Sequence, residues 1–546
     1  MMAGNGVDRT GRSEVDPGET DPVFRENFAA LLARAADRFG EAPAICTRTS
    51  VTSFSGLRFR AAEIQRLLRE AGVIPGDCCA ILLKDPTDAV AAFFAVLGLG
   101  AIGLNVNELY RPLQIEYVLE HSGARVLLTS GEVLRQLPRE VRTPARVVSL
   151  EEGENRAPGE EDFPGNTVPA LEVRSVGVSD PAQVTYTSAS TGLPSGVVTS
   201  HGALWAGVRV VVTSLGLKRE DRIASLLPFS FVYGFSQLTT ALWLGAPLVV
   251  ERGTLAAEIV ATLRREKVTV LAAVPPLWQQ LLAVPSFREE PLEDLRIMTS
   301  AGGRLPPATV HSLRTAQPRA KLFIMYGLTE VFRSTCLDPA EVDEYPDSIG
   351  RAVPGSVVDV VNDAGGIAAE GEVGELVHGG PTVGIGYLND PEKTARTFRT
   401  NPFLAPGEEE PARVVYSGDL VRRDAEGRLY FISRRDRMIK TLGFRVGPDE
   451  IADVIQRSGR VKDVAVVAEP DTIRGERIVA CVVPREGATI EEVTRFCRME
   501  LPRHMQPARY IVLEEIPKNA SGKHDIPVLR RQVTGEEEVE RRLGGG

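Results

Sequence analysis

The chain has 546 residues but only six cysteines, and no two of them form a C-x-x-C pair. Cys46, Cys78, Cys79, Cys336, Cys481 and Cys497 are too scattered for a disulfide scaffold, and adjacent Cys78 and Cys79 suit a buried strand better than a bridge. Six histidines add no zinc-ligand spacing. This cysteine usage points to a reducing compartment, and the chain is read as cytoplasmic. The first 22 residues are polar and lack the apolar core of a signal peptide. No charge occurs from Ile223 to Val250, which raises the question of a membrane span. Pro228, Gly234, Gln237, Gly245 and Pro247 interrupt that run, so no stable membrane insertion is expected. Excess positive charge is missing too. A net charge of -10 disfavours nucleic acid as a partner, because such binding rests on phosphate neutralisation. No repeat at solenoid periods is found.

What is present is ordinary globular composition, 43% hydrophobic and 25% charged, in a chain long enough for large cores. Residues 1–22 read as a flexible tail. Helical apolar spacing over Asn27–Phe39, Leu57–Ala71 and Ala89–Leu97 alternates with strand-like Ala44–Cys46, Cys78–Leu83 and Ala124–Leu128. Such alternation predicts α/β layers with largely parallel strands. Gly153–Gly165 reads as a surface loop. Beyond about Arg434 the pattern changes. A helix over Pro448–Arg457, strands over Val461–Ala468 and Arg477–Val483, a helix over Ile490–Glu500 and a strand over Tyr510–Leu513 make a small α+β unit. The expected organisation is a large domain over 1–434 and a small one over 435–546, frayed from 533.

Five segments carry candidate chemistry. Thr187-Ser-Ala-Ser-Thr-Gly-Leu-Pro-Ser-Gly-Val197 offers small residues and hydroxyls to an anion, though it is no Walker A loop. Met325-Tyr-Gly-Leu-Thr-Glu330 supplies an aromatic ring, a hydroxyl and a carboxylate, a set able to stack a base and bind Mg2+. In Tyr416-Ser-Gly-Asp419 a carboxylate after a tight turn can accept both hydroxyls of a ribose. Gly427 to Arg445 is a strand, a charged turn and a glycine loop ending in Arg. Pro517-Lys-Asn-Ala-Ser-Gly-Lys-His524 presents Lys523 on a turn. Each piece alone has an ordinary reading as a polar turn or a solvated hairpin.

Together, in this order and at this spacing, they resemble the adenylate-forming superfamily over roughly residues 25 to 532. "AGGRLPP…MYGLTEVFRST" and "RRDRMIKTLGFRV" resemble a bacterial branch of stand-alone acyl-CoA ligases and prolyl-type carrier-loading ligases. The resemblance implies a large multi-subdomain α/β domain and a small mobile α+β domain. It implies activation of a carboxylic acid by ATP and Mg2+ to an acyl-adenylate, then transfer to CoA or to the phosphopantetheine of a carrier protein. It also implies roles. Thr187, Ser188, Ser190, Thr191 and Gly192 would cradle phosphates. Gly302, Gly303, Arg304, Met325, Tyr326 and Gly327 would line the nucleotide site. Thr329 would touch the α-phosphate and Glu330 would bind Mg2+. Asp419 and Arg434 would hold the ribose, and Arg445 would lie near the phosphates. Asp436 would be the hinge, Lys523 the catalytic lysine of the first half-reaction, and Gly443 a flank of the thiol channel. Phe231, Val232, Tyr233 and Gly234 would wall the acid pocket.

Two departures matter. Ala189 replaces a glycine of the phosphate loop and Ser195 its lysine, which motivates a second reading as a nucleotide-binding protein without turnover. Ser433 replaces a glycine before Arg434, a milder change. Amino-acid-activating members carry Asp where this chain has Val232. An unpaired ammonium in an apolar pocket would cost several kcal/mol. An acid without an α-amino group is therefore preferred over the remaining alternative, an amino-acid adenylating ligase that loads a carrier protein.

Overall fold

A computed structural model describes residues 26–138, 141–144, 146–150, 170–187, 194–253, 255–402, 413–441, 444–471, 474–519 and 522–534. The expected tail over 1–22 and loop over 153–165 lie outside these residues.

Two large sheets face a shared core. The seven-stranded sheet runs in the order Gly386–Tyr387, Ser195–Ser200, Pro181–Thr187, Ile102–Asn105, Cys78–Leu82, Val126–Ser130, Arg146–Leu150. Its last five strands are parallel. The second sheet has a parallel half, from Pro43–Cys46 through Val270–Ala273 and Ile297–Ser300 to Lys321–Tyr326. An antiparallel half then continues through Thr335–Leu337, Ser348–Ala352, Leu429–Arg434, Arg413–Arg423, Val373–Gly379 and Val357–Val361. The parallel strands are buried on both faces, as their continuous apolar runs require. The helix Pro86–Gly98 is buried from Val90 onward, and Phe93 and Phe94 pack with Phe28, Trp205 and Phe235 in the shared core.

The uncharged run from Ile223 to Val250 divides into the strand Ile223–Ser225, the helix Val232–Leu244 and the strand Leu248–Val250. Gly245 at φ 72° ends that helix. No helix among the described residues is long and apolar enough to cross a membrane.

From Ile439 onward a five-stranded sheet carries its own cores. Strands Phe444–Val446, Ile439–Thr441, Gly475–Pro484 and Val461–Asp471 run side by side, and Arg509–Val512 pairs parallel with Gly475–Pro484. Helix Pro448–Arg457 has Pro in its first turn followed by Asp449 and Glu450, so the helix dipole is met by negative charge. Thr489 and Glu492 form a capping box at the start of helix Ile490–Glu500. The helix Ile526–Thr534 extends past the expected start of the frayed tail, and Val533 is buried. Between the second sheet and this one lies a single turn of 3-10 helix, Arg435–Arg437.

Candidate active site

The antiparallel strands Pro181–Thr187 and Ser195–Ser200 pair Thr187 with Ser195, and the Thr187 hydroxyl donates to the Ser195 carbonyl at 3.4 Å. Ser188, Ser190, Thr191 and Gly192 lie outside the described residues. Ser195, where the resemblance leads one to expect lysine, accepts a 2.8 Å hydrogen bond from the Lys393 ammonium. Lys393 arrives from the helix Pro391–Thr397, started by Asp390, whose side chain accepts the Lys393 N–H. The strand Gly386–Tyr387 pairs with Val197 and Val198, which brings this helix alongside. The ammonium sits 4.0 Å from the Tyr387 ring centre. The Tyr387 hydroxyl in turn donates to the Glu330 carboxylate. Burial holds Lys393 below the usual lysine pKa, against the opposing pull of Glu330 and Asp390.

Strands Ile297–Ser300 and Lys321–Tyr326 are parallel neighbours, so their ends open on the same side. Gly302 (φ 80°), Gly303 and Arg304 follow the first; Met325 and Tyr326 end the second. The next loop doubles back tightly. The Ser334 N–H donates to the Tyr326 carbonyl, and Phe332 adopts φ 63°, a strained value for a bulky residue. A Cβ on Gly327 would lie 2.2 Å from the Phe332 oxygen, so only glycine permits the closure. Thr329 and Glu330 project from this loop, and the Glu330 carbonyl accepts from the Gly384 N–H at 2.8 Å.

Asp419 is only 3% exposed. The expectation of a tight turn here is corrected. Ser417-Gly-Asp419 lies inside the strand Arg413–Arg423, where the register against Val373–Gly379 shifts and Gly418 takes φ 72°. This bulge re-aims Asp419 while the strand continues. The Tyr326 hydroxyl donates to one Asp419 oxygen, and Arg434, its register partner, places a guanidinium nitrogen 3.1 Å from Oδ1. Arg434 also lies 3.6 Å from Asp436. Burial raises the Asp419 pKa, with Arg434 and then Tyr326 opposing.

Lys523 sits on a turn closed by two bonds with Asn519, including Asn519 N–H to the Lys523 carbonyl at 2.8 Å. Its side chain is exposed. Desolvation and the like charge of Arg437 hold its pKa down while Asp419 pulls it up. Lys523 therefore lies within electrostatic reach of Asp419 and Arg434, more than eighty positions earlier in the chain. Arg304 is engaged differently from its expected neighbours: its guanidinium forms an ion pair with Asp453 of helix Pro448–Arg457. Arg445 pairs through its backbone with Lys440. Gly443 is outside the described residues. Phe231 precedes the helix Val232–Leu244, and the Tyr233 hydroxyl donates to the Thr299 carbonyl at 2.8 Å. Gly234 allows close approach: a Cβ there would lie 2.2 Å from the Pro228 oxygen.

The set fits a nucleotide with one divalent ion. Asp419 Oδ1 is buried without a well-formed hydrogen bond, an acceptor suited to a ribose hydroxyl. No cluster of three or more metal-ligating side chains exists among the described residues. Glu330 as a lone carboxylate suits Mg2+, which keeps water and phosphate oxygens as its other ligands. Sequence reasoning missed Tyr387 and Lys393. The Asp390-Pro391 helix start was visible, but nothing local said what its lysine would touch.

The AMP-binding enzyme family matches residues 32–388, and the AMP-binding enzyme C-terminal domain matches residues 450–523. Novobiocin biosynthesis protein H of Streptomyces niveus is 30% identical over 516 residues, covering 93% of this chain and 83% of that protein. Bacitracin synthase 3 of Bacillus licheniformis is 30% identical over 504 residues. The match covers 91% of this chain but 8% of that protein, so the chain spans a small part of such relatives. Among solved structures, ATP-bound MatB from Rhodopseudomonas palustris superposes with a TM-score of 0.81 at 25% identity, covering 92% of this chain and 98% of that one. The anthranilate CoA ligase AuaEII, in complex with anthranoyl-AMP, gives 0.83 at 24% identity, covering 94% and 98%.

Proposed function

The chain belongs to the AMP-binding enzyme family, and from that premise we propose that it is an ATP-dependent acid–thiol ligase. In the first half-reaction a carboxylate oxygen of the acid attacks the α-phosphorus of ATP, the bond to the β-phosphate oxygen breaks, and pyrophosphate leaves. In the second, a thiol of CoA or of a carrier-protein phosphopantetheine attacks the acyl carbonyl. AMP leaves and the thiol proton goes to solvent.

The observation that carries this reading is the buried Asp419 carboxylate, held by Tyr326 and Arg434 beside the loop that bears Thr329 and Glu330. Bringing a carboxylate to a triphosphate sets two anions against each other, so catalysis is largely positioning and charge neutralisation. Lys523 acts as a charge stabiliser between the acid oxygen and the α-phosphate. Asp419, held by Tyr326 and Arg434, takes the ribose hydroxyls. Thr329 donates to the α-phosphate. Glu330, steadied by Tyr387, would hold Mg2+, which when bound offsets phosphate charge. Lys393, on the Ser195 hydroxyl, supplies the cation that Ser195 itself lacks. This weighs against the reading as a protein without turnover. Rotation about Asp436 withdraws Lys523 once the adenylate exists.

Val232 stands where amino-acid-activating members carry Asp, and neighbouring Phe231 adds no charge, which supports an acid lacking an α-amino group. The test is pyrophosphate release, with mass-spectrometric detection of acyl-AMP, across simple carboxylic acids and amino acids. Acyl-AMP from simple acids is expected. Exchange of labelled pyrophosphate into ATP with amino acids alone would replace this reading with a carrier-loading amino-acid ligase, and tight ATP binding with no AMP from any acid would remove the enzyme reading.

A further inference from the structure

Two arginines among the described residues are buried to 5% exposure, Arg333 and Arg428. Arg428 is paired with three carboxylates: Asp424 at 2.8 Å, Glu426 at 2.8 Å and Glu341 at 3.1 Å. Arg333 has none among the described residues, and its Nη1 is buried without any hydrogen-bond partner. A guanidinium stays charged at all ordinary pH values, so the charge cannot be shed. An uncompensated buried charge costs several kcal/mol of stability. Arg428 shows how this fold satisfies such a group when the group is only structural.

The position of Arg333 says where its partner would come from. It follows Phe332 in the doubled-back loop, whose closure by Ser334 and Gly327 fixes the backbone. Its titratable neighbours Tyr233 and Cys336 are both pushed up by burial and stay uncharged at neutral pH. Tyr233 is anchored to Thr299 on the wall of the acid pocket. The adjoining wall residues Phe231, Val232 and Gly234 carry no charge. On the ligase reading, Tyr233 thus sets this apolar wall beside one desolvated cation that has no carboxylate partner among the described residues.

Resting on the ligase reading above, we propose that the acid substrate carries a second carboxylate, and that Arg333 pairs with it. The planar fork of a guanidinium matches a carboxylate through two parallel hydrogen bonds. The same cation repels an ammonium, which agrees with the preference for an acid without an amino group.

The test compares three probes of equal length: a dicarboxylic acid, its half-methyl ester and the corresponding monocarboxylic acid. For the native enzyme, kcat/KM in pyrophosphate release is expected to favour the best diacid over its half-ester by at least about 100-fold, as for a site whose buried polar group would otherwise go unpaired. Arg333→Met is expected to lose diacid activity by a similar factor, keep or improve half-ester activity, and leave ATP affinity by calorimetry unchanged. Arg333→Lys is expected to recover part of the preference. Equal use of half-ester and diacid by the native enzyme overturns the proposal while leaving the ligase reading intact, and needs no variant to fold. Equal loss on both probes in Arg333→Met also overturns it, showing a packing role. No adenylate from any acid overturns the ligase reading, and this proposal with it.

Discussion

The Lys393–Ser195 contact allows a quantitative test of how charge is arranged around the phosphates. Replacing Lys393 by Met keeps most of the side chain's length but removes the ammonium that lies over Tyr387. That ammonium lies 2.8 Å from Ser195 Oγ, beside the mouth of the small-residue loop and in reach of Glu330. A hydrogen bond to a charged group is worth about 1.5–3 kcal/mol, so Lys393→Met should lower kcat/KM for ATP by roughly 10- to 150-fold. The loss should appear mainly as a raised KM for ATP, with the KM for the acid little changed. Ser195→Lys alone should gain little, because two ammonium groups cannot share one site without repulsion. The double variant should return to within about threefold of the native enzyme, a coupling of the kind double-mutant cycles isolate. Pyrophosphate release at varied ATP measures the rates, and calorimetric ATP binding gives an independent readout. An unchanged ATP KM in Lys393→Met, or no rescue by lysine at 195, would refute the reasoning.

Three further outcomes follow from the geometry. Glu330→Gln keeps an acceptor for the Tyr387 hydroxyl but removes the charge, so kcat should fall roughly 100-fold or more and the Mg2+ concentration for half-maximal rate should rise in a titration. Gly234→Ala places a Cβ against the Pro228 carbonyl, and the backbone shift should cost about 1–3 kcal/mol of stability and raise the KM for the acid, not for ATP. His201 accepts the Phe28 N–H through Nδ1, and burial lowers its pKa to about 4; burial takes His378 to about 3. Between the unfolded value near 6.5 and those folded values the unfolded chain binds more protons, so stability falls as the pH falls. The expected loss is about 2 kcal/mol per histidine from pH 6.5 to 5, and His201→Asn should flatten part of that slope in thermal melts.

Much of this architecture could be read from the chain, and the exceptions share one physical cause. Helices Pro448–Arg457 and Ile490–Glu500 were legible to the residue, because proline, acidic first turns and a capping box are local signals. Helix Pro86–Gly98 was read as starting at Ala89, since the apolar period hid the Asp85 cap and the proline behind it. Tyr326, Asp419, Arg434 and Lys523 were grouped only through the resemblance; the contacts among the first three depend on pairings between strands far apart in sequence. The Gly418 bulge looked like a turn because its partner strand, Val373–Gly379, lies some forty residues upstream. Lys393 and Arg333 were not legible. Lys393 acquires meaning from the register of Gly386–Tyr387 on Val197–Val198, and Arg333 from a buried Nη1 with no hydrogen-bond partner among the described residues.

Separating the two half-reactions tests the central claim most directly. Lys523→Ala should lose acyl-AMP formation by roughly 100- to 1000-fold, yet convert a supplied acyl-adenylate and thiol to thioester at close to the native rate. Retention of adenylation by that variant, or equal loss of both steps, would contradict the role of Lys523 as the charge stabiliser of the first step.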